Sequence, residues 1–333
     1  MTKASRNRGD ARRSGPRSLE GDRRVHKAGT SRQQAGGSTR AGAKAPTAAG
    51  GDDKSLMHLR WEATNVQGRQ ALYGEAGPTD GLPVVFLHGW AMAQHTYKRA
   101  LKQLVAQGCR VLAPAMPGFG GTANLPLREL GFPAYAAWLD QFLDAVGVDE
   151  PALLIGHSFG GGVAITFSHR YPNRVGELVL LNSVGGPWRA DGRRIRSMSE
   201  RPIWEWVAYF AFDIVQPFEL PRVLPSLLED LIPNLIFNPG GVLRTGLLAR
   251  KADMRRELNA IKRRRLPVVA ISGEHDRVIP KSSFEALCRL VGCEGEFVPG
   301  SHSWMLADPA RFGETLSGLV SNLNRRRAAR TVA

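Results

Sequence analysis

Gly156-His157-Ser158-Phe159-Gly160 is the segment of this chain best suited to chemistry. It follows an apolar run, Pro151-Ala152-Leu153-Leu154-Ile155, and precedes a small-residue, helix-compatible segment, Gly161-Gly162-Val163-Ala164-Ile165. The pattern predicts a strand, a sharp turn and a helix, with Ser158 at the apex. Glycines two positions either side remove Cβ atoms that would collide in such a turn. The hydroxyl is pushed out above a sheet. The positive end of the helix behind it favours negative charge developing on a substrate oxygen. Alone, the pentapeptide also fits an ordinary serine in a tight turn, so the rest of a nucleophilic constellation has to be found.

An orienting acid and a base follow in the chain. Leu266-Pro267-Val268-Val269-Ala270-Ile271 reads as a buried strand, and Asp276 lies in the loop just past it. Glu296-Phe297-Val298-Pro299 reads as a short strand, and His302 lies just past its end. Ser158, Asp276 and His302 thus occur in the order expected for groups on successive carboxyl ends of a parallel sheet. Upstream, the apolar strand Pro83-Val84-Val85-Phe86-Leu87 ends in His88-Gly89-Trp90. Such an ending puts a backbone N–H beside the nucleophile. The amides of Trp90 and Phe159 are therefore the candidate oxyanion donors.

Other residues compete for these roles. His88 and His157 lie inside strand–turn motifs, where a structural hydrogen bond is the expected use. His275 adjoins Asp276, and a base next to its own orienting acid has poor geometry. His95 and His169 read as helix-surface histidines. Glu274 is the rival to Asp276, two residues earlier in the same loop.

The elements around these residues alternate between helix and strand. Phe132 to Val146 is an amphipathic helix with Tyr135, Trp138, Leu139, Phe142, Leu143 and Val146 on one face. A last helix carries Phe312, Leu316, Leu319, Val320 and Leu323 on one face and leads to the basic tail Arg325-Arg326-Arg327. Such alternation predicts a mostly parallel sheet covered on both faces, an α/β architecture. Met57-His58-Leu59-Arg60-Trp61 reads as the first strand.

With these residues in view, the chain resembles the α/β-hydrolase-fold serine hydrolases that carry a cap, the esterase and lipase type. The likeness runs from residue 57 to about 325. It rests on His88-Gly89-Trp90, Gly156 to Gly160, Gly273 to Asp276, and Gly300-Ser301-His302, in the family order. It implies an eight-stranded, mostly parallel sheet with a helical cap inserted after strand 6. The implied organisation is a basic tail (1–55), a core in two parts (56–186 and 266–325) around a helical cap (187–265), and a basic C-terminal tail (326–333). Many relatives carry an acidic residue where Ala115 stands, after the fourth strand. In some, the acid follows the sixth strand. Here that strand ends in Asn182, whose amide cannot stabilise imidazolium as a carboxylate does. Relatives that open epoxides or displace halide use a carboxylate at the elbow, so Ser158 argues against both.

The segment between Asn182 and Leu266 has its own texture. Ile203, Val207, Phe210 and Ile214 form one helical stripe, and Leu224, Leu227, Leu228, Leu231, Ile232 and Leu235 form another. Glu205, Asp213, Glu219, Glu229 and Asp230 interrupt it, so it reads as a cap and not as a membrane span. Trp188, Trp204, Trp206, Tyr209, Phe210 and Phe212 could line an apolar pocket over Ser158 or simply bind cap to core.

The net charge of +15 suggests nucleic acid until it is mapped. Residues 1–55 hold 13 Lys/Arg against 5 Asp/Glu, and the other 278 residues hold 32 against 25. The first segment has few large apolar residues and is expected to be disordered. It has no apolar signal region. It reads as a solvated tail, a weak tether to polyanions or membrane surfaces, or upstream sequence included by a misplaced start. Its basic stretches lack interleaved aromatics, so specific nucleic-acid recognition is not expected. Cys109, Cys288 and Cys293 form no disulfide framework and no C-x-x-C pair, which suits a reducing cytoplasm. No zinc spacing, phosphate loop or dinucleotide fingerprint is present, so neither metal nor cofactor is expected.

The expected reaction is hydrolysis of a carboxylic ester with an apolar moiety, or secondarily an amide or thioester, through an acyl-enzyme on Ser158. Alternatives are carbon–carbon bond hydrolysis or cofactor-free perhydrolysis on the same triad. From another class, the pocket could serve a non-catalytic receptor for a small apolar molecule. The sequence leaves the oligomeric state open.

Overall fold

Val84, Val85, Phe86 and Leu87 are all buried, although successive strand side chains point to opposite faces. That is possible only where both faces of a sheet are covered, and it places this strand at the centre of the molecule. The computed structural model describes residues 58–190, 194–196, 208 and 220–331. Its main sheet contains β1 (Arg60–Val66), β2 (Arg69–Ala76), β3 (Leu82–Leu87), β4 (Cys109–Pro114), β5 (Ala152–His157) and β6 (Val175–Leu181). After a separate hairpin of β7 (Trp188–Ala190) and β8 (Arg194–Arg196), it is completed by β9 (Val268–Gly273) and β10 (Gly295–Val298). The eight strands lie in the order β1-β2-β4-β3-β5-β6-β9-β10. β2 runs antiparallel to its neighbours, and all pairs from β4 to β10 are parallel.

The strand alternation divides the apolar residues between two cores. Val85, Leu87, Leu112, Leu154, Leu178 and Leu180 face α2 (Phe132–Ala145), α3 (Phe159–Arg170), α6 (Arg255–Arg263) and α7 (Lys281–Val291). Val84, Phe86, Val111, Leu153, Val179 and Ile271 face α1 (Lys98–Val105), the short α8 (Trp304–Ala307) and α9 (Pro309–Thr331). In α2 the predicted face is the buried one, and only Val146 falls outside, at the helix end.

Several expectations change at this level. The first strand starts at Arg60, later than expected, and Met57 lies outside the described residues, as does the tail 1–55. The basic C-terminal stretch is no separate tail: α9 continues through it to Thr331. Residues 187–265 do not form an all-helical cap, since β7 and β8 pair as a hairpin. Nor do they all stand outside the core, because α6 packs against α3 and α7 and buries Leu258 and Ile261 completely. The cap proper, as described, is α4 (Leu220–Phe237) and α5 (Pro239–Arg250). The stripe Ile203, Val207, Phe210 and Ile214, and the aromatics at 204, 206, 209 and 212, lie outside the described residues.

On helix α4 most of the described leucine stripe is turned outward. Of Leu224, Leu227, Leu228, Leu231, Ile232 and Leu235, Leu224, Leu228, Ile232 and Leu235 are exposed, and Leu231 is half-buried against the core. Asp230 and Asn234 point inward instead. Among the described residues no helix is long and apolar enough to cross a membrane.

Placing α6 in the core predicts a measurable asymmetry. Leu258→Ala should cost about 2–5 kcal/mol of unfolding free energy, the range for truncating a buried leucine. Leu228→Ser on the outward side of α4 should stay within about 0.5 kcal/mol. Urea midpoints of the two variants check this.

Candidate active site

Ser158 joins β5 to α3 with φ 52° and ψ −114°. A side chain in this region costs free energy that its surroundings must enforce. The enforcing contacts are visible. Ser158 N–H donates to the Leu181 carbonyl of β6 at 3.0 Å, and its own carbonyl accepts from Gly161 and Val184 at 3.0 and 3.2 Å. A Cβ at Gly156 would stand 2.6 Å from the Gly160 carbonyl oxygen, and one at Gly160 would collide with the Leu87 carbonyl. The two glycines let the turn close against β3.

The structure brings Asp276 and His302 together. His302 Nδ1 lies 2.9 Å from Asp276 Oδ2, and both side chains are almost fully buried. The carboxylate can only accept, so Nδ1 carries the proton and Nε2 is the acceptor nitrogen of the ring. Asp276 is itself held by three further donors. Val278 and Ile279 amides donate to Oδ1 at 2.8 and 2.9 Å, and the Asn182 amide donates to Oδ2 at 2.6 Å. Asn182 is in turn oriented by the Trp304 indole N–H at 2.9 Å. Asn182 cannot replace the acid, but it supports the acid from the end of the neighbouring strand. Glu274 and His275 are exposed and take no part in this contact.

The other motif histidines form a buried network. His157 Nε2–H donates to the His302 carbonyl at 3.0 Å, and the two rings are 5.0 Å apart at their centroids. The residue before Ser158 thus holds the backbone of His302. His157 Nδ1 accepts from the Tyr97 hydroxyl at 2.8 Å, and that oxygen accepts the Gly89 N–H at 3.0 Å. His88 Nε2 accepts the Met116 N–H at 2.8 Å, leaving Nδ1–H for the Gly89 carbonyl at 2.9 Å. Both histidines are therefore neutral. Burial lowers His88 to about 4, and burial plus the neighbouring His302 lowers His157 well below the ordinary imidazole range.

The segment following Gly89 is gripped by the cap. The Trp90 indole N–H donates to the Val242 carbonyl of α5 at 2.7 Å. Asn234 Nδ2 donates to the Ala91 carbonyl at 2.9 Å, and its oxygen accepts the Gly120 N–H at 2.9 Å. Asp230 accepts from the Thr96 amide and hydroxyl, both at 2.7 Å, and pairs with His95 at 2.9 Å. Burial disfavours the charge on Asp230, but the His95 and Thr96 hydrogen bonds outweigh it and hold the group below the usual carboxylate range. Asn238 adds a bond to the Gly118 carbonyl at 2.8 Å. His95 is consequently no helix-surface residue: it sits in the turn before α1 and is partnered. The signal for this contact was present in the sequence. Asp230, Asn234 and Asn238 recur every four residues through a leucine-rich helix.

Serine on a strained elbow and an acid-held imidazole lie in loops at the ends of parallel strands. The sequence profile of the alpha/beta hydrolase family matches residues 84–315. The chain belongs to the alpha/beta hydrolase family. It is 27% identical over 258 residues to a protein of Mycobacterium phage D29 provisionally named a non-heme haloperoxidase, covering 74% of this chain and 90% of that one. It is 29% identical over 220 residues to the pimeloyl-[acyl-carrier protein] methyl ester esterase of Aromatoleum aromaticum, covering 61% and 83%. Among solved structures, a membrane phospholipase A described as a bacterial virulence factor superposes with a TM-score of 0.67 at 20% identity, covering 81% of this chain and 88% of that one. The chain is an enzyme of the hydrolase class. Among the described residues no group of His, Cys, Asp and Glu is arranged to hold a metal ion.

Two stability effects follow from the network. Tyr97→Phe strips a donor from His157 and an acceptor from the Gly89 amide, and should lower the unfolding free energy by about 1–3 kcal/mol. The pH effect has a definite sign. His88 is depressed in the fold from 6.5 to about 4, so the unfolded chain binds more protons between those values. Its contribution is intact above about pH 6.5 and is lost as pH falls towards about 4, on the order of 3 kcal/mol. Urea midpoints measured from pH 7 to 4 should fall across that window.

Proposed function

We propose that this enzyme hydrolyses carboxylic esters with an apolar acyl or alcohol part through an acyl-enzyme on Ser158. The observation that carries the reading is the Asp276–His302 contact, with the His302 ring 5.0 Å from that of His157, the residue before Ser158. Ser158 Oγ attacks the carbonyl carbon and His302 Nε2 takes its proton. Asp276 holds the imidazole tautomer and stabilises the imidazolium. The amides of Trp90 and Phe159 donate to the developing oxyanion, and the end of α3 adds its positive potential. His302 then protonates the leaving alkoxide, and water repeats the sequence to release the acid. Amides and thioesters would follow the same course. The methyl ester esterase of Aromatoleum aromaticum supports the ester reading.

The phage relative favours a second reading on the same residues. Hydrogen peroxide in place of water at deacylation yields a peracid. Peracid formation from a short carboxylic acid and peroxide, faster than ester hydrolysis at equal enzyme concentration, would select it.

A fluorophosphonate probe and a chain-length panel of p-nitrophenyl esters test the proposal. Ser158→Ala and His302→Ala should each lower kcat by about 10⁴-fold or more, because the triad acts as a unit. Asp276→Asn should cost somewhat less. Ser158→Ala with undiminished hydrolysis defeats the reading. Prompt labelling of Ser158 with negligible turnover on every ester, amide and thioester would favour a receptor instead.

A further inference from the structure

Helix α7 ends in a cap that sets two thiols side by side. Gly292 adopts φ 78°, and the amides of Gly292 and Cys293 both donate to the Cys288 carbonyl, at 2.8 and 3.1 Å. In a left-handed cap of this kind the chain folds back. The residue just past the glycine then packs its side chain on the residue one turn before the helix end. Here those two residues are Cys293 and Cys288. A second contact fixes the direction of the inner sulfur. A Cβ added at Gly295 would lie 2.8 Å from Cys288 Sγ, so the sulfur points at the chain segment that leaves Cys293.

The two thiols are unequal. Both are free, Cys288 is buried, and Cys293 is half-buried. Cys293 lines a surface cleft of about 590 Å³ together with Pro267, Val291, Glu294 and Glu296. The neighbouring Cys288 holds the Cys293 thiol below the usual range. The neighbouring Cys293, with burial, pushes Cys288 up. Cys293, half-buried and open to the cleft, is the sulfur a dissolved oxidant reaches first, and the buried Cys288 is the resolving group. Cys109 lies in the core on the opposite face of the sheet and cannot join them.

We propose that Cys288 and Cys293 are a peroxide-responsive dithiol that closes reversibly to an intramolecular disulfide. The Cys293 thiolate attacks one oxygen of hydrogen peroxide, the O–O bond breaks, and Cys293 sulfenic acid and hydroxide result, the hydroxide taking up the proton that the thiol lost on ionising to leave as water. Cys288 then attacks the Cys293 sulfur. The S–O bond breaks, and the hydroxyl leaves as water with the Cys288 proton. Two thiols are oxidised, one peroxide is reduced, and two waters leave. A thiol reductant reverses the change by exchange. The backbone bond between the two residues keeps their Cα atoms within the span a disulfide bridges. Neither sulfur has a role in the proposed ester chemistry, so the site stands independently of that reading.

The test uses the full chain, oxidised with a small excess of hydrogen peroxide and then alkylated. Trypsin cuts after Lys281, Arg289 and Arg311, so closure joins peptide 282–289 to peptide 290–311. That linked pair should appear on oxidation and vanish with dithiothreitol. Cys288→Ser should give a dimedone adduct on Cys293 and no linked pair. Cys293→Ser should slow peroxide consumption at Cys288 by about tenfold or more. The proposal is overturned if Cys293 over-oxidises to sulfinic acid while Cys288 stays alkylatable in the unaltered protein. It is equally overturned if only disulfides between chains form, or if Cys293→Ser reacts as fast as the parent.

Discussion

Ser158 keeps a backbone conformation that no neighbour-free serine would hold, and much of the surrounding architecture acts as its clamp. β6 accepts its amide, and the turn into Val184 donates to its carbonyl. The end of β3 presses on Gly160 so closely that no side chain fits. β3, β5 and β6 are adjacent strands, so a displacement of any one would release the turn. The sheet order is thus a condition for the elbow as well as a frame around it.

A second constraint is hydrogen-bond saturation in a dry setting. The Asp276 carboxylate receives four donors from three directions: its own loop, Asn182 and His302. Buried charge is tolerated only when its lone pairs are satisfied in this way. His88 and His157 solve the same problem by remaining neutral. Their tautomers are dictated by what surrounds them, and through Tyr97 His157 ties the Gly89 amide to the backbone of His302. Two loops distant in sequence are thereby held in one register.

The cap adds a polar grip to this apolar frame. Along α4 Asp230 and Asn234 are buried, while Leu224, Leu228, Ile232, Leu235 and Ile236 are exposed. Loops 91–96 and 118–124 expose backbone amides and carbonyls that no strand satisfies. Carboxylate and carboxamide side chains can meet both kinds, and leucine can meet neither. The cap therefore shapes the segment bearing the Trp90 amide.

The sequence alone determined the strand–turn–helix at Ser158, the chain order of Ser158, Asp276 and His302, and the buried face of α2. These follow from local spacing: glycines that remove Cβ atoms, apolar runs of strand length, and the helical repeat. What the sequence could not decide was which side of an element meets which neighbour. Most of the leucine stripe of α4 is exposed. Asp230 and Asn234 take inward positions because the loops beneath offer backbone groups to pair, and only the fold brings those loops there. Asn182 was legible as an unsuitable acid but not as the acid's support, since its partner lies 94 residues away. Likewise, α6 joined the core and Cys288 met Cys293 through packing and a cap geometry that exist only once the chain has folded.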